Sequence, residues 1–458
     1  MQNGEVKFTL KGKLEEWIEE GRKEKWFNEG WLNGNLYSQK EGGSTYNHGK
    51  LAFHKPKLVN IQAVYNENVD PIEAPINIWV KPTNKCDHGC NFCSYGHRTA
   101  CPVTETMGMK DELTREKFME FIDDCHYLGV KSFTFTGGGE STIHPNIVEA
   151  LEKTYEYGIG VSMITHGGHL SGRKAELMHN ADWLRVSLSE TDPTSFRKVR
   201  HKSKGTFDTV VRNIENFSKN KKPSCYFGIN YIIHEEITNK LYNDVKFFKD
   251  LGVDYVKFTP AYGAFPEKYM NEKLNLGTKD NPIDLQKRTR ENSKLKEAKK
   301  EAGLNEYTDR DYWNYHGPYL RDYLEQISDA REDFQSDKFK VFDTILNDFM
   351  KSSNIERPTT KCPIMQTVPT LGADGGLYFC HDKTYAENGK YGNIYDMRFR
   401  DLWEHPETRR KMRELNPQCN CRHHCTYDDR NISALQMIGD LDNLDRYQPA
   451  SQEHKNYP

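Results

Sequence analysis

INIWVKPTNKCDHGCNFC, residues 76–93, joins a short apolar run to three closely spaced cysteines. The run INIWV predicts a buried β-strand, and the polar stretch that follows it predicts a loop. Cys86, Cys90 and Cys93 therefore lie on a loop at the carboxyl end of the first strand. Functional loops of parallel barrels gather at this end. We expect this stretch to fix both the first element of the fold and its functional centre.

The strand–helix pattern that begins here repeats along the chain. Helical-period segments such as REKFMEFIDDCHYLG alternate with five further apolar runs: SFTFTG (132–137), GVSMITHGG (160–168), DWLRVSLS (182–189), CYFGINYII (225–233) and YVKFTPA (255–261). This alternation implies parallel strands joined by right-handed crossovers. Six units are too few for a closed eight-fold barrel. We therefore predict an α/β fold built on a partial (β/α)6 TIM-type barrel.

Changes in composition divide the chain into four parts. Residues 1–70 are rich in charged and aromatic residues and predict an N-terminal helical or lid segment, and 71–263 hold the barrel. Residues 264–360 are polar and helical in period, which predicts a helical insertion, and 361–458 form a small C-terminal domain with a second group of cysteines.

The overall composition excludes several classes of protein. Charged residues make up 29% and hydrophobic residues 36% of the 458, which is typical of globular proteins. The net charge of −3 gives no general electrostatic basis for binding nucleic acid. No apolar run is long enough to span a membrane, and the first residues do not form a signal peptide. We expect a cytoplasmic protein with neither a nucleic-acid nor a membrane partner.

Eleven cysteines in such a chain are better interpreted as metal ligands or reduced thiols than as disulfides. A structural zinc site would close its tetrahedron with a fourth ligand. Three cysteines on one loop can instead hold three irons of a [4Fe–4S] cluster and leave the fourth iron open. The C-terminal group has five members, for which a zinc ribbon stays an alternative: Cys362, Cys380, Cys419, Cys421 and Cys425.

The first motif resembles that of the radical S-adenosylmethionine (SAM) enzymes, whose C-x3-C-x2-C loop has an aromatic residue before its last cysteine, here Phe92. The resemblance implies that SAM binds the open iron of a [4Fe–4S] cluster. In TFTGGGEST (134–142), Gly138, Gly139 and Glu140 match the family's GGE motif, which holds the methionyl amine. The two motifs follow successive predicted strands in the family's order.

Other matches to the family involve single residues instead of motifs. The resemblance implies a ribose contact from Ser187, with Ser189 as the alternative, and a methionyl carboxylate contact from Arg200, for which a solvated surface charge is the alternative. It also implies that adenine packs near Tyr95. His166 stands where relatives commonly have an asparagine, and we interpret it as a satisfied structural histidine, with contact to the substrate as the alternative.

The C-terminal stretch resembles the SPASM domain, or its shortened twitch form, which carries auxiliary iron–sulfur clusters. The spacing of Cys362, Gly375 and Cys380 matches its pattern, and GADGG predicts a tight turn between two strands. Five cysteines fully support one auxiliary [4Fe–4S] cluster. We take Cys421 and Cys425 as the last two ligands and Cys419 as the spare cysteine, with Cys419 in place of Cys421 as the alternative.

The resemblance implies an enzyme that reductively cleaves SAM to a 5′-deoxyadenosyl radical and abstracts a hydrogen atom. We expect a small sugar-like or aminocyclitol-like substrate, electron transfer by the auxiliary cluster in dehydrogenation or ring modification, and a reductant such as flavodoxin or ferredoxin. The alternatives are a peptide-modifying maturase and, from another class, a non-catalytic iron–sulfur or zinc scaffold. No residue stands out in the sequence as a catalytic acid or base.

Overall fold

The computed structural model describes residues 48–66, 72–95, 106–234, 240–261, 323, 325–343, 359–421, 425, 427–448 and 454–457. The expectation for residues 1–70 therefore lies mostly outside the described part of the chain. Its described end contains the helix α1, Lys55–Tyr65, which has a proline in its first turn. Proline suits this position because the first backbone N–H groups of a helix have no partner inside it.

Within the described ranges, ten strands form one sheet in the order β10-β9-β8-β1-β2-β3-β4-β5-β6-β7, and all neighbours from β8 through β1 to β7 run parallel. The strands are β1 (Asn77–Val80), β2 (Ser132–Phe135), β3 (Gly160–Thr165), β4 (Trp183–Ser187), β5 (Tyr226–Ile233), β6 (Tyr255–Pro260), β7 (Lys340–Phe342), β8 (Thr370–Leu371), β9 (Gly376–Tyr378) and β10 (Lys390–Asn393). All six predicted barrel strands are present, and the partial barrel is confirmed.

The strand β7 lies inside residues 264–360, where the sequence predicts a helical insertion. Residues 325–334 of that region are helical, whereas Lys340–Phe342 pair in parallel with β6. A strand of three residues is too short for its alternation to show in the sequence. Its pairing depends on the exposed edge of β6, which only the folded barrel presents.

Helices cover the outer face of the sheet. Those of the barrel are α2 (Arg115–Leu128), α3 (Ile147–Glu156), α4 (Gly172–Met178), α5 (Pro193–Arg200), α6 (Lys204–Asn220) and α7 (Leu241–Asp250). Those of the C-terminal region are α8 (Ile364–Thr367), α9 (Phe399–Glu404), α10 (Pro406–Glu414), α11 (Pro417–Asn420) and α12 (Asp428–Ile438).

The helix α2 shows how the sequence sets these elements. The Thr114 side chain accepts a hydrogen bond from the Lys117 backbone at its start, and Gly129 ends it in a left-handed conformation with φ of 85°. Its aromatic side chains pack on β2, with the rings of Phe121 and Phe133 5.7 Å apart. Since side chains alternate along a strand, Thr134 faces away from α2, into the barrel.

The C-terminal domain continues the barrel sheet. Its strand β8 pairs in parallel with β1 and in antiparallel with β9, which confirms the predicted hairpin around the GADGG turn. Gly375 in this turn has φ of 75°, which favours glycine. On the outer face, Arg398 donates to both carboxylate oxygens of the buried Asp124, at 2.5 and 3.3 Å. One sheet and one hydrophobic core therefore include the cysteine-rich region.

Residues 454–457 close the amino-terminal end of the barrel. The Ser132 hydroxyl donates to the Asn456 carbonyl at 2.6 Å, and the Tyr457 hydroxyl donates to Asp182 at 2.7 Å. The barrel is thus sealed opposite the end that carries the cysteine loop. No helix in the described ranges has the length and apolar character needed to cross a lipid bilayer.

Candidate active site

The first cysteine loop leaves β1 and is fixed to the end of α5. The backbone N–H of Gly89 donates to the Arg200 carbonyl at 3.1 Å, and that of Asn91 donates to the Val199 carbonyl at 3.0 Å. These two bonds hold the loop across the mouth of the barrel. The helix α5 can carry them because its last carbonyls have no partner inside the helix.

The three thiols on this loop lie close enough to influence one another. Burial by the surrounding loop raises the pKa of the Cys86 thiol, and the charges of Glu140, Cys93 and Cys90 raise the pKa further. A raised pKa favours the protonated thiol. A bound metal would favour the thiolate instead, because the thiolate is the form that coordinates a metal. The donor set, three sulfurs from one loop, fits a cluster with one open iron.

Three unpartnered polar atoms around the loop also fit a bound group. Both ring nitrogens of His88 and Nη2 of Arg200 are buried and make no hydrogen bond to any described residue. Buried polar atoms normally have a partner, so unpartnered ones point to a group that binds there. Cluster sulfides and the carboxylate of SAM are acceptors suited to Nη2 of Arg200 and to the single N–H group of a neutral His88 ring.

The predicted glycine motif packs directly against the approach to the cysteine loop. A Cβ atom on Gly139 would lie 2.0 Å from the Lys85 carbonyl oxygen, and one on Gly138 would lie 2.3 Å from Oδ1 of Asn84. The backbone N–H groups of Gly139 and Glu140 donate to the carbonyls of Thr83 and Lys85. Close approach of the two turns therefore requires these glycines. Their contact with SAM stays a prediction.

The Glu140 carboxylate connects the ends of β2 and β3. It accepts hydrogen bonds from the Thr142 hydroxyl (2.5 Å) and backbone (3.1 Å), the Thr165 hydroxyl (2.7 Å) and the His166 backbone (2.7 Å). Burial opposes its charge, but the nearby His166 ring and these bonds outweigh burial and lower the pKa. Glu140 is thus a buried carboxylate that donors hold ionised, and its predicted bond to the methionyl amine would add to this set.

Arg200 is buried, so the alternative of a solvated surface charge is wrong. Its Nε donates to Glu190 at 2.8 Å, and Nη1 lies 3.7 Å from the sulfur of Cys90. Burial would lower the arginine pKa, but the charge and hydrogen bond of Glu190, together with the charges of Cys90 and Cys86, outweigh burial and raise it. The packing of α5 on the cysteine loop creates this buried position, which the basic local sequence does not reveal. The predicted carboxylate contact is still a prediction.

Ser187 and Tyr95 also border the mouth. Ser187 is the last residue of β4, and its side chain is half-buried. The hydroxyl of the alternative residue, Ser189, accepts a hydrogen bond from the Ile232 backbone N–H at 2.9 Å. Tyr95 accepts a hydrogen bond from the Lys81 ammonium at 2.7 Å, and its ring lies 6.4 Å from that of His381. Tyr95 therefore touches the C-terminal domain as well as the cysteine loop.

His166 is a satisfied buried histidine, as predicted, but the sequence does not reveal what it contacts. Its Nε2 lies 2.8 Å from Oδ1 of Asp87 on the cysteine loop, and its ring stacks on that of His88 at 3.9 Å. A ring nitrogen of His166, the Cys86 sulfur and a carboxylate oxygen of Asp87 lie within 4.8 Å of one another. No periodic pattern marks such a contact between two loops.

The C-terminal cysteines also come together. Burial raises the pKa of Cys380, and the charges of Asp382, Cys362 and Cys421 raise it further. The Cys425 sulfur accepts a hydrogen bond from the backbone N–H of Tyr427. Burial raises the pKa of the Tyr427 hydroxyl, and the charges of Cys380 and Cys425 are among those that raise it further. The predicted set of Cys362, Cys380, Cys421 and Cys425 thus fits one cluster, whereas Cys419 is exposed. The individual ligands stay predictions.

Two basic side chains are buried on the barrel strands beside this site. Lys257 on β6 and Arg185 on β4 face inward, and Arg185 donates to the Tyr255 hydroxyl at 3.1 Å. The strand register places Ser187, Asn230 and Lys257 at one level. Burial and the charges of Arg185 and Arg430 hold the pKa of Lys257 well below its usual value. No local pattern in the sequence marks these buried basic residues.

Comparison with known families gives two matches. The model of the radical SAM superfamily matches residues 80–248, and that of the SPASM iron–sulfur cluster-binding domain matches residues 362–426. The first match includes the three cysteines of the first loop, and the second includes all five of the C-terminal group.

Curated relatives match part of the chain. A GTP 3′,8-cyclase of Rhizobium etli is 31% identical over 158 residues, which are 33% of this chain and 42% of the cyclase. The mycofactocin maturase MftC of Mycolicibacterium smegmatis is 25% identical over 149 residues, 32% of this chain and 35% of the maturase. The chain thus spans less than half the length of these relatives.

Solved structures match at low identity. Streptococcus suis SuiB bound to S-adenosylmethionine is 15% identical, with a TM-score of 0.49, covering 87% of this chain and 78% of SuiB. The protein anSMEcpe with bound AdoMet is 17% identical, with a TM-score of 0.43, covering 78% of this chain and 85% of that protein.

Proposed function

Because the chain belongs to the radical SAM superfamily and carries a C-terminal SPASM-type iron–sulfur domain, we propose that it generates a 5′-deoxyadenosyl radical to abstract hydrogen from a small polar substrate. Its cofactors are SAM and iron–sulfur clusters. When bound, the first cluster supplies one electron that cleaves SAM, and the auxiliary cluster takes part in electron transfer. A flavodoxin or ferredoxin is the proposed reductant, and the cytoplasm the proposed location.

The observation that carries this proposal is the meeting of three elements at one mouth. The cysteine loop follows β1, the glycine turn follows β2, and Arg200 on α5 lies against the sulfur of Cys90. Gly138 and Gly139 let the second turn approach the first, while Arg200 keeps one buried donor for a carboxylate. We infer that the methionyl part of SAM is held between Glu140 and Arg200, with its adenosyl part towards Ser187 and Tyr95.

The barrel interior supports a small polar substrate. Lys257 lies at the level of Ser187, and Asn230 lies between them in the register. Amine, guanidinium and amide groups suit a ligand rich in hydroxyl, carboxylate or phosphate groups. We therefore favour a sugar-like or aminocyclitol-like substrate that is dehydrogenated or modified on its ring. A relative named for its action on GTP also acts on a polar small molecule.

Peptide maturation is the second candidate, favoured by a relative named as a maturase. A leader-binding domain in residues 1–70 would distinguish it, but residues 1–47 lie outside the described part of the chain. A labelled substrate separates the two candidates. Deuterium transfer from a deuterated cyclitol or sugar alcohol into 5′-deoxyadenosine is expected, and transfer only from a peptide would establish the second candidate.

The chemistry itself is tested on anaerobically reconstituted protein. We expect about eight irons per chain and release of 5′-deoxyadenosine after reduction. The triple Cys86/Cys90/Cys93→Ala variant should keep roughly half of the iron and lose all cleavage of SAM. Zinc in place of iron, or intact clusters that never cleave SAM, would instead indicate a scaffold.

Cys419→Ala is the matched control for this experiment. Since Cys419 is exposed and Cys421 acts on Cys380, the variant should keep all of its iron. Loss of auxiliary iron from Cys419→Ala alone would overturn the choice of Cys421 as a ligand.

A further inference from the structure

We propose that His166 is a positioning residue that holds the first cysteine loop against the glycine turn. The inference rests on the proposed function only in taking this loop as the one that binds the SAM-cleaving cluster. His166 follows β3 and is 6% exposed, so its contacts are internal to the site. The cysteine loop, the end of β2 and the end of β3 all meet at this side chain.

The first contact is a hydrogen bond with a defined tautomer. The backbone N–H of Gly168 donates to Nδ1 of His166 at 3.0 Å, so Nδ1 is an acceptor. Nε2 therefore carries the ring proton and donates it to Oδ1 of Asp87 at 2.8 Å. A charge-assisted bond of this kind fixes the orientation of both side chains. Asp87 directly follows Cys86, so its position constrains the first thiol.

The second contact is a stacked pair of rings. The rings of His166 and His88 lie 3.9 Å apart and only 9° from parallel, and Phe196 meets the His88 ring from another side at 5.7 Å. The described residues make no hydrogen bond to either ring nitrogen of His88. Ring packing is therefore what holds His88, which stands midway between Cys86 and Cys90.

The third contact ties this arrangement to the glycine motif. The backbone N–H of His166 donates to Oε2 of Glu140 at 2.7 Å, while Glu140 itself donates its backbone N–H to the Lys85 carbonyl at 2.9 Å. A closed circuit thus runs from the start of the cysteine loop through Glu140 and His166 back to Asp87. A movement of the His166 ring would displace Asp87 and His88 together. It would thereby change the distance between the sulfur atoms of Cys86 and Cys90.

The test separates the two side-chain contacts. His166→Asn removes the stack on His88, and His166→Phe keeps an aromatic ring but removes the bond to Asp87. His126→Asn is the control, because His126 lies on α2 and stacks on Tyr157, away from the mouth. All four proteins are reconstituted anaerobically, and hydrogen exchange of the peptide 85–95 is measured by mass spectrometry.

We expect exchange in this peptide to rise about tenfold in His166→Asn, and to a lesser degree in His166→Phe, with the control unchanged. The change that SAM produces in the electron paramagnetic resonance spectrum of the reduced first cluster should weaken in the same order, while auxiliary-cluster iron stays constant. Unchanged exchange and an unchanged spectral response in both variants would overturn the proposal. Equal loss of both clusters would also overturn it, in favour of a general structural role.

Failure of the proposed function has a different outcome. If the unaltered protein shows no spectral response to SAM, the assignment of the first cluster fails. The exchange measurement would then still report whether His166 holds the loop.

Discussion

Removing the Arg200 guanidinium should destabilise the protein strongly, because it leaves a buried carboxylate without its partner. The side chains of Arg200 and Glu190 are 2% and 3% exposed, and Nε lies 2.8 Å from Oε2. Truncation of one member of a buried ion pair costs about 3–5 kcal/mol, most of which is the penalty of an unpaired buried charge. We therefore expect Arg200→Met to lower the free energy of unfolding by roughly this amount.

A double-mutant cycle tests this origin of the loss. Arg200→Met combined with Glu190→Gln removes both charges, so the double variant should regain at least half of the stability that the single variant loses. Anaerobic urea unfolding followed by circular dichroism measures the difference. A loss below about 1 kcal/mol in Arg200→Met, or strictly additive losses in the double variant, would refute the reasoning. SAM affinity should stay low in both variants, since both lack the donor proposed for its carboxylate.

Two further predictions concern other parts of the fold. Gly139→Ala should abolish iron binding at the first site, because the new Cβ would lie 2.0 Å from the Lys85 carbonyl oxygen. Gly205→Ala in α6 is the control and should leave the iron content unchanged. Iron analysis of both variants tests this prediction, and a normal iron content in Gly139→Ala would contradict it. Burial and the Lys50 charge lower the pKa of His454 to about 4, so the stability that the neutral ring contributes is present above pH 6.5 and lost as pH falls towards 4. Between pH 8 and pH 5 this amounts to about 2 kcal/mol, and His454→Gln should remove that part of the pH dependence of urea unfolding; an identical dependence in both proteins would contradict it.

Local patterns predict the barrel strands and helices well. REKFMEFIDDCHYL has a capping threonine before it, a glycine after it and apolar residues on one face, and it forms the helix Arg115–Leu128. Each of the six apolar runs forms a parallel strand for a similar reason, since burial on both faces needs a continuous apolar segment. The two cysteine groups are also visible in the sequence because their spacing is local.

Contacts between distant segments are what the sequence does not reveal. The burial of Arg200 depends on α5 packing across the cysteine loop, and the stack of His166 on His88 depends on two loops from different strands. The strand β7 is three residues long, and among the described residues its partner is β6. In each case the residue type is uninformative, and the neighbour in space determines the role.

The pairing of β8 with β1 sets the relation between the two cysteine groups. Lys81, one residue after β1, donates its backbone N–H to the Leu371 carbonyl at 2.9 Å, so the C-terminal hairpin begins beside the strand that leads to the first loop. Tyr95 follows Cys93 by two residues and contacts the ring of His381, which directly follows Cys380. The hydrogen bond between Lys81 and Leu371 and the aromatic contact between Tyr95 and His381 thus hold the two cysteine regions together. Neither contact depends on the segment of chain that connects β6 to β8. Cys380, which would bind the proposed auxiliary cluster, therefore follows β9 of the same sheet whose strand β1 leads to the first cysteine loop. A cluster held there would supply the electron transfer that we propose for this domain.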